Sequence, residues 1–303
     1  MPIDSELADG LIAEIKRGNP LHGRVVDQAL AALKEHELIA FQRYIAYCLD
    51  RDVSLAALAK AYNLIVTDTY KEEIYFRRHG RYRHSTYAAV ADAVYQNPEY
   101  MRGYMHGLAV TEFLWENHAA MRRFFERCLA AARGGDSYLE VGPGHGFFFA
   151  LAAKSRKWKL HHGVDISPTS LEMTRSFLQS GLHGKVGDYD LFESDFLQYD
   201  FRLSYDAFVM GEVLEHVEAP EAFLRRIFEV TSRDPFVFLT TCINAPSIDH
   251  IYNFETIENL EGMFHRAGFA IADRILLPYP GKTVEESIDE KLSISVAYRL
   301  SKP

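Results

Sequence analysis

The sequence predicts an α/β protein with an additional helical region at its N-terminus. Apolar residues recur at helical spacing before Arg133, whereas short apolar runs that end in glycine or acidic residues follow it. The two glycines of Arg133–Asp136, placed after a helical pattern, mark the best boundary. We therefore expect a helical lid or dimerisation domain over residues 1–133 and a ligand-binding domain over residues 134–303.

The helical region contains one segment that core packing alone does not explain. Val26, Leu30 and Leu33 lie on one helical face, as in an ordinary packed helix. Tyr95–Phe125 is richer in aromatic residues and methionines, and its consecutive residues Phe113–Trp115 cannot all point the same way on a helix. We expect part of this segment to form a lid that covers a ligand and builds an acceptor pocket. The candidate catalytic residues in this lid are Tyr104 and His118.

A basic stretch within the same region suggests a second interpretation. Ser54–Leu64 resembles the first helix and turn of a winged-helix unit, and Arg77–His84 would supply a basic wing for phosphate contacts. A solvated loop or a dimerisation module explains the same residues. The first interpretation predicts a regulator that binds DNA.

Composition and charge argue against nucleic acid as the main partner. The 303 residues are 48% apolar and 25% charged, with a net charge of −9, whereas phosphate neutralisation needs a basic surface. No apolar run is long enough to span a membrane, and the acidic N-terminus lacks the features of a signal peptide. The cysteines, Cys48, Cys128 and Cys242, form neither a C-x-x-C motif nor a disulfide framework. We expect a cytoplasmic protein without a bound metal.

The most informative stretch is Tyr138–Phe148, which reads YLEVGPGHGFF. It predicts a buried strand that enters a G-x-G-x-G turn, whereas a dinucleotide-binding fingerprint would need its third glycine at position 147. Glu140 lies two positions before the first glycine. An acidic residue there suits a ligand that carries an ammonium and a carboxylate, and S-adenosylmethionine (SAM) is the lead candidate.

Three further strand ends follow at suitable distances. Asp165 closes a second strand roughly 20 residues after the glycine turn, where it can accept hydrogen bonds from ribose hydroxyls. Asp195 and Phe196 end a third apolar run and suit the amino group and the face of adenine. A fourth strand runs into Gly211-Glu-Val. Because ligands of open α/β sheets bind at the carboxyl ends of strands, these residues should share one crevice.

This series resembles the class I SAM-dependent methyltransferases over residues 134–303. The resemblance implies a Rossmann-like, seven-stranded sheet that is mostly parallel with an antiparallel last strand. Strand five would lie at Phe236–Thr241, the following helix at Glu255–Ala267 and strand seven at Leu292–Leu300. It also implies the residues that contact SAM: Glu140, Gly142, Gly144 and Gly146 at the methionine end, Asp165 and Ile166 at the ribose, Asp195 and Phe196 at the adenine, and Gly211, Glu212 and Val213 near the sulfonium.

The residues after strand five should line the acceptor side. Asn244 could orient a polar substrate group and Tyr252 could cap the pocket. Asp249 and His250 could form an acid/base pair, although His250 could equally anchor its loop. His216, after strand four, is interpreted as a structural histidine rather than a general base.

These residues favour a SAM-dependent methyltransferase for a small-molecule acceptor, plausibly in specialised metabolism. The alternative is a SAM cyclase of the azetidine-2-carboxylate synthase type, in which the amine of SAM attacks its own γ-carbon and expels methylthioadenosine. A SAM-sensing winged-helix regulator is the third hypothesis. A homodimer formed through the helical region is also expected, because exposed aromatic and methionine surface tends to be buried.

Overall fold

The N-terminal half of the protein is helical. The computed structural model describes residues 6–182, 184 and 186–303. Before the sheet these residues form α1 (Leu7–Gly18), α2 (Gly23–Ala32), α3 (Glu35–Leu49), α4 (Leu55–His79), α5 (Tyr87–Val90), α6 (Pro98–Leu114) and α7 (Glu116–Ala131). A single π-helical turn, Ala91–Tyr95, separates α5 from α6. Such turns are rare and often occur at functional sites.

Seven strands form one mixed sheet. They are β1 (Gly135–Val141), β2 (Trp158–Asp165), β3 (Asp188–Glu193), β4 (Tyr205–Gly211), β5 (Thr231–Ile243), β6 (Ala270–Leu277) and β7 (Ile294–Ser301). Their order is β3-β2-β1-β4-β5-β7-β6, with β7 antiparallel to both of its neighbours. The predicted Rossmann-like fold is confirmed, including its antiparallel last strand.

Helices connect the strands and cover the sheet. They are α8 (Phe147–Ser155), α9 (Pro168–Gln179), α10 (Pro220–Val230), α11 (Ile257–Arg266) and α12 (Val284–Asp289). Strand β5 is longer than predicted at both ends. The chain passes from α7 to β1 at the expected boundary. None of the helices in the described ranges is both long and apolar enough to cross a bilayer.

The winged-helix interpretation is wrong, because Ser54–His84 contains no turn near Leu64. Instead, α4 runs unbroken from a serine cap, where the Ser54 hydroxyl accepts from the Ala57 amide at 3.2 Å, to the left-handed Gly80. Its buried residues Leu58, Tyr62 and Ile65 keep one helical face through the position where the turn was expected. Packing of that face against the rest of the helical region therefore sustains a single long helix.

One apolar cluster joins the helical region to the sheet. Phe125 of α7 is fully buried, with its ring centroid 4.8 Å from that of Phe148 and 4.9 Å from that of Phe238 on β5. The same cluster contains Phe113 of α6 and Phe147 of α8. The helical region is therefore packed onto the sheet through a shared core rather than through a separate interface.

We expect Phe125→Ala to destabilise the protein by about 3–5 kcal/mol, because it removes a fully buried ring from this shared core. Urea unfolding monitored by circular dichroism measures the change. Leu21→Ala is the control, since that side chain is 96% exposed and its loss should change stability by less than about 0.5 kcal/mol. A loss below about 1 kcal/mol for Phe125→Ala would contradict the shared core.

Candidate active site

A cavity of about 320 Å³ lies where the carboxyl ends of β1, β2, β4 and β5 meet the helical region. Its roof is aromatic and sulfur-rich and consists of Tyr87, Tyr95, Tyr104, Met105, Trp115 and His118. Its acidic lining residues are Glu73, Glu112, Glu140, Asp165, Asp195, Glu212 and Asp249. Cavities of this size and position usually bind small molecules. The helical region therefore contributes lining residues to the cavity, and its role as a lid stays a prediction.

The glycine turn forms one wall of the cavity. Gly142 has φ +66° and Gly144 has φ +57°, in the left-handed region that favours glycine. A Cβ atom on Gly142 would lie 2.7 Å from Cγ2 of Val213, so a side chain there would close the gap between the turn and β4. Gly146 is not among the lining residues. It precedes α8 with φ +84° and packs near Phe177, so it turns the chain rather than facing a ligand.

Glu140 is the buried acidic group beside this turn. It lies on β1 and is 2% exposed, and the Tyr138 hydroxyl donates a hydrogen bond to Oε2. Burial raises the pKa of Glu140 to about 8, against the lowering effect of the Tyr138 hydrogen bond. An ammonium group bound here would supply the missing positive charge and favour the ionised form.

We expect SAM, and its product S-adenosylhomocysteine (SAH), to bind more tightly as the pH rises from 6 to 7.5. Glu140 must release its proton to pair with an ammonium, so affinity should rise by roughly tenfold per pH unit below its pKa. The stability of the ligand-free protein depends on pH in the opposite direction. Because folding raises the pKa of the Glu140 carboxyl, this group contributes most to stability at low pH. That stability should be lost as the pH rises towards about 8.

Calorimetric titration with SAH in two buffers of different ionisation enthalpy tests this linkage. We expect release of about one proton per SAH near neutral pH. Binding without proton release would contradict the assignment of Glu140.

The ribose and adenine residues also reach the cavity. Asp165 ends β2, and its carboxylate accepts from the Ser167 amide at 2.9 Å and from the Ser170 hydroxyl at 2.7 Å. Ile166 follows it in the lining, and Asp195 lines the cavity beyond β3. Phe196 lines the cavity but is 2% exposed and packs in an aromatic cluster. All four residues therefore line the same cavity.

Glu212, at the end of β4, has an unusual backbone and an unpaired oxygen. Its φ is +52°, a left-handed conformation that is costly for a residue with a Cβ. Its amide donates to the Thr240 carbonyl oxygen at 3.1 Å, which holds this geometry. Its Oε1 is buried without a hydrogen-bond partner, and burial raises its pKa. Glu212 lines the cavity together with Gly211 and Val213.

Asp249, also in the cavity lining, organises a polar cluster. Its two carboxylate oxygens accept from the hydroxyls of Tyr104 and Tyr95, each at 3.1 Å, and Nδ1 of His216 lies 3.3 Å away. Burial alone would raise the pKa of Asp249, but His216, His250 and the two hydroxyls outweigh it and lower the pKa. The cluster therefore holds a buried carboxylate in its charged form.

The protonation of His216 follows from its partners. Nδ1 lies 3.1 Å from the carbonyl oxygen of Asp249 and 3.3 Å from its carboxylate. The Tyr95 hydroxyl, 3.0 Å from Nδ1, gives its own proton to the Asp249 carboxylate. Since all three groups then accept from Nδ1, Nδ1 carries the proton and the lone pair of neutral His216 is on Nε2. His250 instead uses Nδ1 on the Ala245 carbonyl at 2.6 Å, and burial lowers its pKa to about 4. His250 thus lines the cavity while it anchors its loop.

Two further titratable groups lie under the roof. His118 lines the cavity, its Nδ1 is 2.8 Å from the Thr111 hydroxyl, and burial lowers its pKa to about 4. Burial raises the pKa of Glu112 to about 8 despite the nearby Arg122. That arginine is too far for a hydrogen bond, at 3.9 Å between Nε and Oε2, and neither atom has another partner. Like Glu140, Glu112 is therefore a buried carboxyl group whose negative charge is not fully balanced by a nearby positive charge.

Asn244 and Tyr252 are absent from the described cavity lining, and we assign them no part in catalysis. Asn244 ends β5 with φ +49°, and its side-chain amide donates to the Glu255 carbonyl at 3.1 Å. Asparagine tolerates the left-handed conformation better than most residues, so Asn244 is suited to turning the chain here. The ring of Tyr252 packs on Phe254, with centroids 4.8 Å apart.

Possible metal donors also meet around His250. Among the described residues, two groups have donor atoms within 4.8 Å of one another: Glu215, Cys242 and His250, and His216, Asp249 and His250. Protein hydrogen bonds already engage Asp249 and His216, and the Thr241 hydroxyl donates to Glu215 at 2.7 Å. We therefore assign no metal to them.

Tyr95, Glu112 and His216 line the cavity but are not among the site residues predicted from the sequence. Tyr95 has no local signal, because only the π-helical turn and the fold bring it to Asp249, 154 positions away. Glu112 could have been recognised as the lone charge in an apolar run from Gly107 to Trp115. His216 was considered and assigned a structural role.

Comparisons with known proteins cover both sequence and structure. None of the curated protein sequences is significantly similar to this chain. The N-methyltransferase NodS from Bradyrhizobium japonicum, solved with SAH, is 13% identical over 63% of this chain and 92% of its own, with a TM-score of 0.48. Magnesium protoporphyrin IX methyltransferase from Synechocystis, solved with SAM, is 18% identical over 62% of this chain and 80% of its own, with a TM-score of 0.46.

A third structure, the cyclopropane synthase MmaA2 from Mycobacterium tuberculosis, is 14% identical over 62% of this chain and 85% of its own, with a TM-score of 0.49. None of these likenesses assigns a role to a residue of this chain. A family model described as a methyltransferase domain matches residues 114–273, just over half of the chain. The chain therefore belongs to the class I SAM-dependent methyltransferase family.

Proposed function

We propose that this protein transfers the methyl group of SAM to a small-molecule acceptor. The observation that carries the proposal is one cavity that brings together the strand-end residues predicted to contact SAM and polar and aromatic residues of the helical region. About 320 Å³ is at the low end for small-molecule sites and leaves no room for a folded macromolecule. A role in specialised metabolism, a cytoplasmic location and a homodimer belong to the same proposal.

The residues present fit SAM. Oε1 of Glu212 and Oε2 of Glu112 are buried in the cavity lining without partners, which suits a ligand that carries positive charge. Glu140 would bind the ammonium, Asp165 the ribose and Asp195 the adenine. SAM brings an activated methyl group on its sulfonium.

The protein's own contribution is then alignment and exclusion of water. Tyr95, Tyr104 and Trp115 would present aromatic faces to positive charge in the cavity. The roof excludes water from the reacting groups, and the fixed position of Glu212 on β4 helps to orient the ligand.

The small volume also favours a second candidate, a cyclase for which SAM is the only substrate. In that case the amine of SAM would form the new bond and methylthioadenosine would leave, with no need for space for a second molecule.

Incubation of the purified protein with SAM alone, followed by mass analysis, tests the proposal. Methylthioadenosine together with a cyclic secondary amine lighter than homoserine by one water would identify the cyclase. Homoserine lactone has the same mass and also arises from SAM, but it is a primary amine and is distinguished by derivatisation. Unchanged SAM that raises the melting temperature supports a methyltransferase that lacks its acceptor, and a screen with methyl-labelled SAM then follows. SAM that is neither consumed nor stabilising would contradict both functions.

A further inference from the structure

The cavity lining has an excess of acidic side chains over basic ones. Its described lining contains seven Asp and Glu side chains and neither Lys nor Arg. Contacts to SAM account for Glu140, Asp165 and Asp195. The remaining carboxyl groups include Glu212 and Asp249, which approach the cavity from the ends of β4 and β5. A ligand with one carboxylate and two cationic centres does not require this many acids.

This excess of acidic side chains disfavours anionic acceptors and favours amines. A carboxylate or phosphate in the chamber would meet no lysine or arginine and would be repelled by Asp249, whose charge the surrounding histidines and hydroxyls maintain. An ammonium or amine would instead donate to Oε1 of Glu212, which is buried and lacks a partner. The chamber therefore favours amines over anionic acceptors.

A nucleophilic amine must be free of its extra proton, and His216 is placed to accept it. Its Nδ1 is committed to Asp249, so the lone pair on Nε2 is available, and the side chain lines the cavity. The titratable groups around His216 are Tyr95, Asp249, His250 and Glu212. Asp249 stabilises the imidazolium that forms.

We propose that the nucleophile at this site is an amine and that Nε2 of His216 accepts its proton; this rests on the proposed function. The ammonium gives one proton to His216, and the nitrogen lone pair forms a bond to a carbon beside the sulfonium. The C–S bond breaks and its electron pair stays on sulfur, which leaves a neutral thioether. The new alkylammonium and the imidazolium each carry one positive charge, so charge is conserved.

The amine has two possible sources with the same chemistry. It belongs either to a separate small molecule, which is methylated to leave SAH, or to SAM itself, whose attack on its γ-carbon leaves methylthioadenosine. Product analysis distinguishes the two sources, since only the second occurs with SAM alone.

The first test compares acceptor classes with the wild-type protein. SAM is supplied alone and then with pools of amines, alcohols and phenols, and carboxylates. Protein-dependent turnover of SAM alone to methylthioadenosine and a cyclic secondary amine, or N-methyl products from the amine pool, supports the proposal. Protein-dependent formation of homoserine lactone would show attack by the carboxylate and would overturn it. O-methyl or ester products would overturn it and leave the methyltransferase function standing. Failure to bind SAH would instead overturn the proposed function.

If none of the acceptor pools gives a product, the binding of two probe molecules to the SAH-loaded protein tests the proposal. Benzylamine and benzoate share a ring and differ in charge, and their effects on melting temperature are compared at matched ionic strength. Benzylamine should raise the melting temperature and benzoate should not. An equal effect, a larger effect of benzoate, or no effect of either would overturn the proposal.

The second test addresses His216 directly. His216→Gln should lower turnover at pH 7 by roughly 100-fold or more, with SAH affinity unchanged within about threefold. Turnover should recover as the pH rises and the free amine predominates. His162→Gln is the control, because this half-buried histidine bonds the Tyr205 hydroxyl at 2.6 Å outside the cavity.

An equal loss of turnover at every pH would indicate a merely structural role for His216. Should His216→Gln fail to fold, Tyr95→Phe removes a single hydrogen-bond partner of Nδ1, at 3.0 Å. A smaller loss with the same recovery at high pH supports the role of His216, and a loss without recovery contradicts it.

Discussion

The Glu140→Gln substitution is expected to weaken SAH binding by about 10- to 100-fold while the protein remains folded. A hydrogen bond to a charged group contributes about 1.5–3 kcal/mol, and each 1.4 kcal/mol corresponds to about a factor of ten. The ligand-free fold should tolerate the change, because glutamine resembles the protonated acid that burial favours. At pH 8 the ligand-free variant should melt no lower than the wild-type protein.

Calorimetry with SAH and thermal melts measure both effects. Asp136→Asn is the matched control, since Asp136 is an exposed acid at the other end of the same strand and pairs with Lys159. It should bind SAH as the wild-type protein does. The assignment of the ammonium to Glu140 fails if Glu140→Gln binds SAH within about threefold of wild type, or if its affinity keeps the wild-type dependence on pH.

The second large effect is expected from Asp249→Asn. This change removes the charge that holds Tyr95, Tyr104 and His216 in place in the cavity lining. We expect turnover of SAM to fall by roughly 100-fold or more, as for loss of an oriented general base. SAH affinity should change by less than about threefold, because Asp249 is not one of the predicted SAM contacts.

Separate measurement of turnover and of SAH binding tests this division of roles. Tyr100→Phe is the control: its hydroxyl also bonds a carboxylate, Asp68 at 2.9 Å, but its side chain is absent from the described cavity lining. Equal losses of SAH binding and turnover in Asp249→Asn would mean that the cluster supports the whole cavity. If Asp249→Asn does not fold, Tyr104→Phe removes one hydrogen bond at a cost of about 1 kcal/mol and allows the same comparison.

Local sequence patterns were sufficient to locate the residues of the site that lie at the strand ends. Gly142 and Gly144 follow a buried strand, and Glu140 and Asp165 end strands that lie side by side. In a parallel sheet the carboxyl ends of strands meet at one edge, so recognition of the strands also locates these residues. Gly146 could not be separated from the others by spacing, because only its position against α9 shows that it faces away from the cavity.

The acceptor end could not be predicted in the same way. Asp249 meets Tyr104 and Tyr95 across sequence separations of 145 and 154 positions, and these contacts depend on the docking of α6 and on the π-helical turn. Asn244 follows β5 as expected but is used to turn the chain. Packing also explains why α4 is longer than predicted. Its sequence locally resembles a shorter helix and a turn, but burial of one continuous face stabilises a single long helix.

The apolar cluster that joins the helices to the sheet limits how this enzyme can be altered. A chain cut at residue 134 would leave the rings of Phe147 and Phe238 without Phe125 and the other partners that now cover them. Such a fragment would expose a continuous apolar surface and would aggregate rather than stay monomeric. The roof therefore cannot be exchanged as a module to recruit new acceptors. Engineering of acceptor specificity would instead substitute individual lining side chains, such as Tyr95 and Glu112, and keep the helical region in place.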